Sequence, residues 1–125
     1  MPTEITIPLE NKPGALAKVT DVLGKAGVNL EGIGYAAGTR GVLRVIADDT
    51  QKALAALKTA KIKVKATQEV LTATLPNRPG ALGELARKLG KGRINIDAFY
   101  VTGETGGTLR CVLAVDKPDK AKTLI

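Results

Sequence analysis

The sequence predicts an α+β protein built from two tandem βαββαβ units, the second lacking its last strand. Three observations carry this. Sliding the chain on itself by 66 residues aligns Asn11 with Asn77 and Pro13-Gly14-Ala15-Leu16 with Pro79-Gly80-Ala81-Leu82, so one unit occurs twice. Each copy opens with a short alternating segment, passes through an Asn-basic-Pro-Gly-Ala-Leu turn and continues as an amphipathic segment. A composition of 44% hydrophobic and 25% charged residues is that of a chain that folds.

In the first unit Ile5, Ile7 and Leu9 alternate with polar residues as a half-buried strand does. Pro13 suits the first turn of a helix, and Leu16, Val19, Thr20 and Leu23 form one inward stripe. Gly24 and Gly27 mark its end. Val28 to Tyr35 reads as a strand, Gly38 to Gly41 as a turn, and Val42 to Ala47 as a largely buried strand. Asp49 or Thr50 can cap a second helix carrying Leu54, Leu57 and Ala60, and Ile62 and Val64 alternate with three lysines as an edge strand.

The second unit repeats this order from Val70. Its first helix carries Leu82, Leu85, Ala86 and Leu89; its strands are Ile94 to Val101 and Thr108 to Val115; Asp116-Lys117-Pro118 open its second helix. Without a gap, the same shift pairs Asn29 with Asn95 and Gly41-Val42-Leu43-Arg44 with Gly107-Thr108-Leu109-Arg110. The order is that of the ferredoxin-like fold, an antiparallel sheet with helices on one face, with units expected at 1–68 and 69–125. The chain stops at Ile125 before a final strand, so the edge at Val70 to Leu75 is expected to need cover. Another chain or the segment from Ile62 to Val70 is expected to supply it, a truncated chain being the alternative.

Composition narrows the function. The chain has no His and a single Cys, Cys111, so a zinc cluster and an internal disulfide are excluded and the usual general base is missing. No cofactor is expected, and catalysis is not expected. No apolar run approaches the ~20 residues of a membrane span, and Met1-Pro2-Thr3-Glu4 lacks a signal pattern; a cytoplasmic location is expected. A net charge of +7 raises RNA binding as the alternative function, since RNA-recognition motifs share the βαββαβ order. Those motifs stack bases on aromatic side chains of the central strands, and Ile5 to Leu9 and Val42 to Ala47 contain none. Nucleic acid is therefore the less expected partner.

A strand that enters a helix through a glycine loop can hold a small anion or zwitterion at the helix N-terminus. The motif Asn11-Lys12-Pro13-Gly14-Ala15-Leu16 with Gly27-Val28-Asn29-Leu30, and its copy Asn77-Arg78-Pro79-Gly80-Ala81-Leu82 with Ile94-Asn95-Ile96, resembles the ACT domain over nearly the whole chain. It looks most like stand-alone tandem ACT proteins. The resemblance implies a non-catalytic regulatory module that binds a free amino acid between two ACT units, with a possible metabolic enzyme on a separate chain. The two units can meet within one chain or through a homodimer, and a homodimer is expected because the incomplete second unit leaves surface to cover. It places ligand contacts on the two motifs, including Asn29, Leu30, Asn95 and Ile96, by similarity to serine-binding modules. An Asn amide suits this task, offering donor and acceptor to a ligand carrying carboxylate and ammonium. The plainer readings are that Asn11 and Asn77 stabilise turns, that Lys12 and Arg78 are solvated, and that Arg44 and Arg110 serve structure or an interface.

Overall fold

The computed structural model describes residues 1–125. The chain divides into two compact units: Thr3–Gln68, and Glu69–Ile125 joined by Met1–Pro2. The first contains β1 (Thr3–Glu10), α1 (Ala15–Lys25), β2 (Leu30–Ala37), β3 (Arg40–Ala47) and α2 (Thr50–Thr59), followed by β4 (Ala66–Glu69) at its boundary. Its sheet has the order β2-β3-β1-β4. β1 and β2 are each antiparallel to β3, so they run parallel to one another with α1 as the crossover. Ile5, Ile7, Leu43 and Val45 turn to the helix side and form one core with Val19, Leu23, Ala53 and Leu57. Asp49 caps α2, accepting from the Lys52 amide at 3.1 Å.

The second unit holds β5 (Leu71–Pro76), α3 (Ala81–Lys91), β6 (Ile96–Thr105), β7 (Thr108–Val115) and α4 (Pro118–Leu124), with strand order β5-β7-β6. Leu71, Leu85, Leu89, Ile94 and Leu113 form its core. The architecture is the expected pair of ferredoxin-like units, four strands and then three.

Several local expectations are corrected. The fourth strand is Ala66–Glu69 rather than the Ile62–Val64 region. Ile62 and Val64 do pack on the core, but sheet pairing starts only at Lys65, whose amide donates to the Thr6 carbonyl at 2.8 Å. The segment Ile62 to Val70 does not pair with β5: β4 pairs with β1, and the Val70 amide donates to the Pro2 carbonyl at 3.0 Å. Leu16 and Leu82 leave the inward stripes and stand 50% and 42% exposed, while Val19 and Leu23 in α1, and Ala81, Leu85 and Leu89 in α3, are the buried positions.

The gapless repeat also breaks in space. β6 carries two bulges, between Ile96 and Ala98 and between Val101 and Gly103, and each adds a residue to the strand. Beyond them, equivalence slips by two. Arg44 lies opposite Thr6, and the residue opposite Thr72, the counterpart of Thr6, is Val112 and not Arg110. Arg44 and Arg110 are a match in sequence but not in position.

Three helices end in a left-handed residue, and two of these residues are not glycine: Gly27 (φ 76), Lys61 (φ 58) and Arg93 (φ 59). Behind each, the next amide reaches back to the helix, as Ile94 does to the Leu89 carbonyl at 3.0 Å. Arg93 therefore bears a strain that its counterpart Gly27 avoids. Arg93→Gly is expected to stabilise the chain by about 0.5–1 kcal/mol, since relief of left-handed strain outweighs the added chain entropy. Chemical denaturation of the two proteins reads this directly.

Candidate functional site

The two motif turns share one backbone. The Ala15 amide donates to the Lys12 carbonyl and the Ala81 amide to the Arg78 carbonyl, both at 3.3 Å, closing four-residue turns. Pro13 and Pro79 sit second, and Gly14 (φ 85, ψ −12) and Gly80 (φ 90, ψ −14) third, which is the type II turn. Pro13 thus belongs to this turn and not to the first helical turn. The glycines occupy the N-cap position of α1 and α3, where no side chain caps the helix. A helix whose first amides lack a side-chain cap presents donors and a positive dipole end to solvent, the features a carboxylate needs.

The loop asparagines fasten these turns to the neighbouring hairpin. Asn11 Nδ2 donates to the Gly38 carbonyl at 3.1 Å, and Asn77 Nδ2 donates to Glu104 Oε2 at 2.7 Å. Their backbone amides reach the same hairpins, at Thr39 and Gly107. Each amide group therefore spends a donor on structure, and its oxygen keeps acceptor capacity for an ammonium. Turn stabilisation and ligand contact are compatible roles here.

Asn29 and Asn95 lie elsewhere. The Asn29 amide donates to Asp48 Oδ1 at 3.1 Å and the Asn95 amide to Asp116 Oδ1 at 2.9 Å; Asn95 Nδ2 also binds Asp97 Oδ1 at 2.8 Å. They follow the C-terminal ends of α1 and α3, whereas Asn11 and Asn77 precede the N-terminal ends. An 11-residue helix spans ~16 Å, so the two asparagines of one unit do not converge on a single small ligand. Leu30 and Ile96 begin β2 and β6 beside them and are half-buried.

At the first turn a groove of about 300 Å³ lies against β2, bordered by Asn11, Lys12, Ala15, Leu16, Gly34 and Tyr35. Leu16, Ile33 and Tyr35 are exposed apolar side chains, and β2 is an edge strand exposed from Glu31 to Ala37. Tyr35, which the motif reading leaves out, borders this groove; it is one of few aromatics in the chain. At the second turn Ala81 is buried while Asn77, Arg78, Pro79, Gly80 and Leu82 are exposed.

The flanking charges differ. Lys12 Nζ pairs with Glu10 at 2.6 Å, and Arg78 Nη2 holds both oxygens of Glu84 at 3.0 and 3.2 Å. The hydrogen bond from Lys12, and its charge, hold the Glu10 carboxyl below its usual value; Arg78 does the same to Glu84. Whatever each pair contributes is fully present above the ordinary carboxylate pKa and is lost as pH falls through the lowered one. Titration of the side-chain carboxyl carbons by NMR should place both midpoints below the ordinary value. Lys12→Ala and Arg78→Ala should return Glu10 and Glu84, respectively, towards it.

Arg44 is structural. Its Nε and Nη2 both donate to Glu4 Oε1 at 2.9 Å, with Glu4 fully buried. Burial opposes its charge, but hydrogen bonds with Glu4 and Tyr35 more than offset this and hold the guanidinium above its ordinary pKa. Cys111 is buried, and desolvation pushes its thiol up. No helix is long and apolar enough to cross a membrane.

Residues 3–125 match the family described as an ACT domain pair. The chain is similar to protein BT0572 from Bacteroides thetaiotaomicron, at 31% identity over 98% of this chain and 85% of that one, with a TM-score of 0.87. The fold is shared with the regulatory subunit of aspartate kinase from Thermus thermophilus in its ligand-free form, at 17% identity over 98% and 89% of the two chains (TM-score 0.72). The regulatory subunit of aspartate kinase from Thermus flavus is comparable, at 18% identity over 98% and 88% (TM-score 0.67). No curated protein matches the chain at a significant level. With the duplicated Pro-Gly turn, the two ferredoxin-like sheets and a match across almost every residue, the chain belongs to the family of paired ACT domains.

Proposed function

We infer that this protein is a non-catalytic regulatory module that binds a free amino acid beside its Pro-Gly turns and acts on a metabolic enzyme carried on a separate chain. The observation that carries the reading is the twice-built type II turn, which leaves a helix start without a side-chain cap next to an anchored Asn carbonyl oxygen. The ligand carboxylate meets the first helix amides and its ammonium meets Asn11 or Asn77. The names of the structural neighbours, regulatory subunits of aspartate kinase, agree with a regulatory role.

Binding takes place where two units from different copies meet. Asn11 and Asn29 lie at opposite ends of α1, so they serve one ligand only when they come from different chains. The exposed β2 edge, with Leu16, Ile33 and Tyr35, is the face through which a homodimer forms. Ligand occupancy then favours the docked arrangement by its differential affinity, which is what the partner enzyme reads. The working location is the cytoplasm.

RNA binding fits less well. The sheet face on which a recognition motif would stack bases carries Glu4 and Thr6, both buried, in the first unit.

Isothermal titration against a panel of free amino acids tests the proposal. One or a few are expected to bind, with Asn11→Ala or Asn77→Ala weakening the affinity by roughly tenfold, as for loss of a hydrogen bond to a charged group. A panel with neither heat nor thermal shift sinks it.

A further inference from the structure

We propose that the first ACT unit carries a second groove, on the far side of its turn, that binds a small multivalent anion of the phosphate-ester or polycarboxylate class, and that the second unit has lost this property. The groove measures about 440 Å³ and is bordered by Glu10, Lys12, Gly14, Lys18, Lys61 and Lys63. It does not involve Asn11, Leu16 or Tyr35, which border the groove against β2.

Three separate pieces of chain bring the lysines together. Lys12 is in the turn, and Lys18 lies one helical turn into α1, its amide bonded to the Gly14 carbonyl at 3.1 Å. Lys61 is the left-handed residue that closes α2, and Lys63 follows it. Ile62 and Val64 pack on the core, so the lysines between and beside them alternate outward. Against these four cations the border offers one carboxylate, Glu10, already bound to Lys12 at 2.6 Å. A concave border with surplus positive charge concentrates anions more strongly than the same lysines spread over a convex face.

The repeat supplies an internal control. The second turn has the same backbone, Gly80 matching Gly14, but its charges are rearranged. Glu84 stands where the first unit has Lys18, Pro76 where it has Glu10, and Arg78 where it has Lys12. Arg78 is held by both oxygens of Glu84, so the pair is neutral. One turn backbone thus carries unpaired Lys18 beside Lys12 in the first unit and the mutually paired Arg78 and Glu84 in the second.

The test titrates the full chain with pyrophosphate, and separately with citrate, at constant ionic strength while amide resonances are followed by NMR. Saturable shifts are expected at Gly14, Ala15, Lys18, Lys61 and Lys63, and not at Gly80, Ala81 or Glu84. Lys18→Glu, at an exposed position, should leave the melting temperature within a few degrees and weaken the anion by ~10-fold or more. Saturation by pyrophosphate alone assigns the groove to phosphate esters, and saturation by citrate alone to polycarboxylates; saturation by both shows recognition by charge. The proposal is overturned by shifts that do not saturate, by equal shifts at both turns, or by unchanged affinity in Lys18→Glu. Amino-acid binding beside Asn11 is read from Leu16, Gly34 and Tyr35, which border only the groove against β2, and anion binding from Lys18, Lys61 and Lys63, so either conclusion can fail alone.

Discussion

Arg44→Val is expected to destabilise the chain by about 3–5 kcal/mol, the cost of removing one partner of a buried ion pair. Glu4 is fully buried and both Arg44 donors converge on its Oε1. The second unit shows the alternative: Val70, the counterpart of Glu4, and Val112, which occupies the Arg44 position in the sheet, are both buried. The double variant Glu4→Val with Arg44→Val should therefore recover most of the loss. A double-mutant cycle by denaturant unfolding measures the coupling, and additive losses would show that the pair does not act as a unit.

The second large effect concerns assembly. Leu16→Asp is expected to convert a dimer to a monomer and to lower amino-acid affinity by roughly 30-fold, the loss typical of a central interface residue. Leu16 is 50% exposed, so its replacement should barely change the stability of the isolated chain. Sedimentation equilibrium and calorimetry on the same samples separate these quantities. A wild-type chain that is monomeric at micromolar concentration, or a Leu16→Asp dimer with full affinity, would refute the β2 face as the interface.

Much of the architecture was legible because period and punctuation are local. Alternation at Ile5, Ile7 and Leu9, the stripe Val19 and Leu23, and the Asp49 cap each follow from residues a few positions apart. The turns were legible twice over, since Pro-Gly fixes backbone geometry whatever surrounds it. Two expectations failed for a common reason. Leu16 has the spacing of an inward residue yet is exposed, and Arg110 matches Arg44 in identity but not in position; burial and register depend on distant partners that spacing does not record.

By itself, then, the sequence determined the duplicated unit, the element order and the pair of Pro-Gly turns, all consequences of short-range backbone preference and hydrophobic period. Only the tertiary structure decided that bulges in β6 shift the second hairpin by two residues, exchanging a buried ion pair for two valines. It also decided that lysines from three segments gather around one groove. Each of these depends on which distant strands pair, and in what register. Strand pairing is set by the packing of a whole core, which no stretch of sequence contains.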